Sequence, residues 1–240
     1  MPGLGTIVNC AAIVAGGIIG VLFGRFLPER FQTSCIMTCG LCTIFIGAGG
    51  AMAQMLRLSE GGTLSAEGSM MLIGCLILGT LAGELLKIED NIERFGEWLK
   101  QKSGNAHDGG FVHAFVTASL TVCVGAMAIV GSIQDGLLAD HSVLFAKSTL
   151  DFIIIIVMAA SMGKGCAFSA IPVGLLQGGV TLLSRFISPL ITPAALSNLS
   201  FVGSVMIFCV GINLCFGKRF KVGNQLPALI IAVAWALLLG

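Results

Sequence analysis

Apolar runs of about 20 residues recur along the chain, each long enough to cross ~30 Å of hydrocarbon as an α-helix. Eight can be marked out: Leu4 to Gly24, Phe31 to Leu56, Ser69 to Leu86, Phe111 to Val130, Ser142 to Gly163, Cys166 to Ser188, Ala194 to Phe216 and Asn224 to Gly240. This recurrence limits the fold more than any motif does. A backbone in lipid must pair every N–H and C=O internally, and a helix does that within one segment. Composition agrees, since only 10% of the 240 residues are charged, against roughly 25% in soluble domains. The sequence therefore predicts an all-α, polytopic transmembrane helix bundle of about eight spans, forming one membrane domain over residues 1–240. The 33 glycines suit such a bundle, because small residues let spans approach closely where no hydrophobic force joins them.

A net charge of +1 gives no reason to expect a nucleic-acid partner. The lipid bilayer is the expected partner, with a homo-oligomer through the glycine-rich first and second spans as a further expectation. The first run has no basic residue before Arg25, so it reads as a retained span and not a cleaved signal. Loops after spans one, three, five and seven carry Arg25, Arg30, Lys87, Arg94, Lys100, Lys102, Lys164, Lys218, Arg219 and Lys221, whereas the other side has only Arg57 and Arg185. Basic loops stay in the cytoplasm. A multi-pass protein of the bacterial inner membrane is predicted, with both termini outside and the 87–110 segment inside.

That segment divides the chain. Ile88, Ile92, Phe95 and Leu99 recur at helical spacing among charges, which predicts a helix lying on the membrane surface or against a span. The glycine- and polar-rich stretch from Ser103 to Gly110 follows as a linker. Residues 1–86 then hold three spans, 111–163 the central spans four and five, and 164–240 spans six to eight. Gly16-Gly17, Arg25-Phe26, Pro28, Gly40 and Gly47 are echoed by Gly178-Gly179, Arg185-Phe186, Pro189, Gly203 and Gly211. An offset of five spans would make these halves inverted repeats, an arrangement common in secondary transporters.

Two stretches break the apolar pattern in its middle. Lys147 and Asp151 stand four residues apart on one face of span five, with Asp151 roughly 14 Å below Ser142 at ~1.5 Å per residue. Ionisable groups at membrane depth are costly, and are kept when they function or are tightly paired. Two readings remain open: an ion pair that fixes helix packing, or a pair that binds a solute, ion or proton. Gly131-Ser-Ile-Gln-Asp-Gly136 ends span four. It reads either as an external turn or as unwound backbone, permitted by Gly125 and Gly131, that brings Ser132, Gln134 and Asp135 to a cavity. Gln177 in span six lies near the depth of Asp151, and Asn9 in span one near that of Lys147. Both read as helix–helix hydrogen bonds or as lining residues. Glu84 reads as snorkelling to the interface, and Trp98 and Trp235 as interfacial anchors.

Cys35, Cys39 and Cys42 share one helix face, a spacing that thiolate ligands could use, but they read first as packing residues beside Gly40. His107, His113 and His141 share no ligand spacing, and no phosphate loop, zincin pattern or nucleophile elbow is present. No enzymatic activity, resident metal or cofactor is expected.

Gly3-Leu-Gly-Thr-Ile-Val-Asn9, Leu27-Pro-Glu-Arg30, Gly83-Glu84, Gly131 to Gly136, Ala146-Lys-Ser-Thr-Leu-Asp-Phe152 and Gln225-Leu-Pro-Ala-Leu229 together resemble the uncharacterised bacterial multispan proteins of the YqgA/YdfK type. The resemblance covers nearly the whole chain. It implies a polytopic inner-membrane protein, commonly labelled a possible transporter, with no site residues to carry over.

The residues point first to secondary transport or exchange of a small ion or polar solute at a site near the midplane. Lys147 and Asp151 would supply paired charge, and Ser132, Gln134, Asp135, Gln177 and Asn9 hydrogen bonds. The alternatives are an oligomeric ion channel and a membrane redox or metal-binding protein that uses the cysteines.

Overall fold

The computed structural model describes residues 1–24, 26, 28–58, 64–123, 126–187, 189 and 192–239. Arg25, Leu27, Gly125, Ser188 and Gly240, which entered the expectations above, lie outside the described residues. The helices are α1 (Leu4–Gly24), α2 (Glu29–Met55), α3 (Ser69–Leu86), α4 (Ile88–Lys102), α5 (Phe111–Cys123), α6 (Ala126–Leu138), α7 (Ser142–Met162), α8 (Ala170–Leu182), α9 (Ser184–Ile187), α10 (Pro193–Phe216) and α11 (Pro227–Leu239). Short 3-10 segments, Lys164–Ser169 and Val222–Gln225, lead into α8 and α11. A small antiparallel hairpin, β1 (Leu56–Leu58) and β2 (Leu64–Ala66), joins α2 to α3.

Among the described residues, six helices are long and apolar enough to cross a membrane: Leu4–Gly24, Arg30–Met55, Ser69–Leu86, Ser142–Met162, Lys164–Leu182 and Pro193–Phe216. α5 and α6 form a pair bent by 63°, a seventh crossing if taken as one span, and the apolar Val222–Leu238 is shorter than 18 residues. The eight runs read from the sequence are thus found as six full helices, one broken pair and one short helix.

Glycine sets how these helices meet. A Cβ on Gly16 would lie 2.8 Å from the Phe152 carbonyl oxygen, and those on Gly20 and Gly24 would strike the carbonyls of Ile156 and Ala160. Both series advance by four, so α1 and α7 run parallel with their backbones in contact. On α2, Gly40 meets Leu214, Gly47 meets Phe208 and Gly50 meets Ser204, which makes α2 and α10 antiparallel. Gly79 and Gly83 similarly fit against Ala228 and Asn224, seating α3 on α11. The glycines expected to draw a second copy of the chain are therefore largely taken up within it.

The segments after α3, α7 and α10 gather at one end. Lys164 Nζ donates to Asn105 Oδ1 at 3.4 Å, Lys218 pairs with Glu93 at 2.7 Å and Lys221 pairs with Glu84 at 3.1 Å. Glu84 thus reaches the bundle's end, as the snorkelling reading expected. α4 packs on α5, with Gly96 against the Phe115 ring and Phe95 stacked on Trp98. One charge in α4 departs from the solvated pattern. Glu89 is buried, its Oε2 accepts from Gly223 N, and its backbone N–H donates to Asn224 Oδ1.

Candidate functional site

The stretch Gly131–Gly136 is neither a turn nor unwound backbone. It lies inside α6, which continues to Leu138, and the connection to α7 falls at Ala139–His141. Its glycines serve close approach, not chain reversal: a Cβ on Gly131 would meet Leu144 at 2.8 Å, and one on Gly136 the Thr181 carbonyl at 2.5 Å. α5 ends at Cys123, α6 begins at Ala126, and the two are bent by 63°.

The C-terminal end of α5 supplies the first element of the centre. The last carbonyls of a helix lack an intrahelical donor, and the one at Val122 is reached by an ammonium from α7. Lys147 Nζ donates to Val122 O at 2.8 Å and to Asp151 Oδ1 and Oδ2 at 2.9 and 2.8 Å. The i, i+4 spacing puts both groups on the face of α7 that carries Leu144, Ser148, Ile155 and Met158 into the core. Lys147 is 8% exposed and Asp151 4%, so this pair is inside the protein and not on its lipid-facing surface.

Two amides from other helices complete the group. Asn9 Nδ2 on α1 donates to Asp151 Oδ2 at 3.0 Å and to Gln177 Oε1 on α8 at 3.3 Å. The carboxylate can only accept, which fixes the amide nitrogen of Asn9 towards it. Asn9 Oδ1 and Gln177 Nε2 then remain buried with no hydrogen-bond partner. The two residues are 0% and 1% exposed. An unmet polar group so placed costs about 1–3 kcal/mol. The centre therefore pairs its charges fully and leaves one acceptor and one donor unused.

The other expected residues lie apart from this group. Asp135 is fully buried, but its oxygens are occupied by Gly3 N at 3.0 Å, Gly5 N at 3.2 Å and His141 Nδ1 at 2.7 Å. It caps the N-terminus of α1 from a distant helix, where a negative charge suits the helix dipole. Ser132 Oγ and Gln134 Oε1 on the same helix are buried without partners. Ser132 O accepts from Thr181 Oγ1, one turn beyond Gln177 on α8. Neither side chain has a hydrogen bond to the Lys147–Asp151 pair.

One contributor to the centre was not anticipated from the sequence, the Val122 carbonyl, and Thr6 and Thr181, which stand one turn from Asn9 and Gln177, were not singled out either. Thr6 lies one turn before Asn9, and its Oγ1 is buried and unpartnered. The nine cysteines are free thiols, and among the described residues no group of three His, Cys, Asp or Glu side chains could hold a metal.

The family profile described as "Protein of unknown function (DUF554)" matches residues 4–237. The chain belongs to the DUF554 family. Among its relatives, the uncharacterized protein YqgA of Escherichia coli (strain K12) is 28% identical over 235 residues, covering 96% of this chain and 94% of that one. The uncharacterized membrane protein YdfK of Bacillus subtilis (strain 168) is 27% identical over 227 residues, covering 95% and 93%. No solved structure matches. The resemblance read from the sequence is thus the family's own, and this DUF554 chain is a multi-pass membrane protein. The match also extends over both α1 and α8, which supply the two amides of the centre.

Proposed function

We propose that this protein is a secondary transporter or exchanger of a small ion or polar solute across the bacterial inner membrane, with Lys147, Asp151, Asn9 and Gln177 as its binding centre. One observation carries the reading: a charge pair near the middle of α7, fully buried, lies beside an amide acceptor and an amide donor with no partner. A purely structural pair has no need of those unmet groups. Ser132 and Gln134 are assigned to the approach to this centre, and Asp135 to positioning α1.

The helix pairings support alternating access. α1 packs on α7, α2 on α10, α3 on α11, and the α5–α6 pair on the segment 164–182. Exchanging α1 with the 164–182 segment, α2 with α10, α3 with α11, and α5–α6 with α7 returns the same set of pairings. That is the relation expected of two inverted halves that rock about a central site. The gathering of Lys164, Lys218 and Lys221 with the 87–110 segment supports an orientation with that end in the cytoplasm and the termini outside.

The test is counterflow of labelled ions and small polar solutes in proteoliposomes. Wild-type protein should exchange one of them, and both Asp151→Asn and the double replacement Lys147→Met/Asp151→Leu should not. The double variant is the folding control, since a buried ion pair is commonly replaced by apolar groups without loss of stability. A double variant that exchanges as fast as wild type would overturn the proposal.

A further inference from the structure

We propose that the solute is a small uncharged molecule bearing a hydroxyl or carboxamide, admitted through the vestibule between the N-terminal end of α1 and the C-terminal end of α8. This rests on the transport reading and narrows its solute. The vestibule has a volume of about 370 Å³ and is lined by Thr6, Gly178, Thr181, Ser184 and Arg185 among others. It opens at the end of the bundle where α1 begins. Gly178 keeps open space at its inner wall, for a Cβ there would find no atom within 4 Å.

The centre does not line the vestibule itself: Asn9 and Gln177 are buried behind it and neighbour its lining residues along α1 and α8. Gln177 adjoins Gly178 on α8, and Asn9 is one turn beyond Thr6 on α1. The polar atoms along this seam that lack a partner are Thr6 Oγ1, Ser132 Oγ, Asn9 Oδ1 and Gln177 Nε2. All four are neutral, and together they offer both donors and acceptors.

The charges at the end of the route are closed to a charged solute. A cation taking Asp151 would have to strip Lys147 from both carboxylate oxygens, held at 2.9 and 2.8 Å. An anion taking Lys147 would strip Asp151 in the same way. Either exchange leaves an uncompensated charge inside the protein, a penalty of about a hundredfold or more in affinity. An uncharged solute breaks neither contact. Its own donor meets Asn9 Oδ1 and its acceptor meets Gln177 Nε2, so two unsatisfied groups gain partners. The pair then acts as a fixed dipole that holds Asn9 in place.

The experiment uses full-length protein in proteoliposomes and compares counterflow of labelled erythritol and malonamide with that of sodium, rubidium and acetate. Erythritol, malonamide or both should exchange, and the salts should not. The two uncharged probes separate the hydroxyl from the amide class. Gly178→Trp, which fills open space, and Gln177→Leu should each slow exchange about tenfold or more, and Thr6→Val gives an independent reading if either fails to fold. Exchange of sodium, rubidium or acetate that Gly178→Trp blocks would overturn the solute class while leaving the transport reading intact. Exchange of neither uncharged probe, with other solutes active in the wider panel, would also overturn it. No exchange of any solute would remove both.

Discussion

Asp135 and Asp151 are both buried carboxylates, yet they are satisfied in opposite ways. Asp135 is held by two backbone amides at the start of α1 and by His141, on a helix end whose dipole already favours it. Asp151 is held by a lysine and an asparagine side chain, both of which can rotate, in the middle of the bundle. The difference teaches that burial of a charge does not by itself mark a binding site. What distinguishes Asp151 is that the unmet polarity belongs to the amides bonded to it, Asn9 directly and Gln177 through Asn9.

The sharpest way to break this comparison is to remove each carboxylate and read flux and stability separately. Asp151→Asn should lose exchange completely, and should cost about 3 kcal/mol of stability because Lys147 loses its counter-charge. In the double variant Lys147→Met/Asp151→Leu the melting temperature should recover and exchange should not. Recovery of both would make Asp151 as structural as Asp135.

Asp135→Ala should cost at least about 3 kcal/mol, since each hydrogen bond to a charged group is worth roughly 1.5–3 kcal/mol and three are lost. No apolar second-site change should rescue it, for its partners include backbone amides. Thermal unfolding in lipid nanodiscs measures this, and a loss under 1 kcal/mol would argue against the capping role. Gly20→Leu sharpens the comparison by separating α1 from α7. It should cost about 2 kcal/mol through overpacking and lower exchange by moving Asn9 away from Asp151.

Gln177→Leu should change stability by less than about 1 kcal/mol, because the loss of the bond from Asn9 is offset by removal of a buried donor that has no partner, while slowing exchange. A clear loss of stability would mean that Gln177 is a packing residue. The smallest effect is expected at the opposite end. The pairs with Glu89 and Glu93 outweigh burial and raise the pKa of Lys218, and the hydrogen bond to Glu84 raises that of Lys221. A lysine whose folded value is raised contributes stability below its ordinary value of 10.5, lost as pH rises through the raised one. Melting should therefore fall modestly above that pH, and less so in Lys218→Met.

Much of the fold was legible because lipid imposes a simple length rule, and α1, α2, α3, α7 and α10 lie close to the runs read for them. The α5–α6 region was misread for a physical reason. Gly131 and Gly136 look like turn formers in one dimension, but at helical φ and ψ they are contact residues whose neighbours, Leu144 and Thr181, come from other helices. Of the centre, Lys147 and Asp151 announced themselves as charges in an apolar run, and Asn9 and Gln177 as polar residues at matching depth. The Val122 carbonyl could not announce itself, because a backbone acceptor has no sequence signal of its own. Glu89 was hidden similarly, as one acid among many in α4 until Gly223 and Asn224 close over it.

The most direct measurement is a high-resolution structure in lipid with the exchanged solute present, read at Asn9 Oδ1 and Gln177 Nε2. The account predicts non-protein density bridging those two atoms, with Lys147 still bound to Asp151 and to the Val122 carbonyl. Solute density elsewhere in the bundle, with Asn9 Oδ1 and Gln177 Nε2 still lacking a partner, would contradict it.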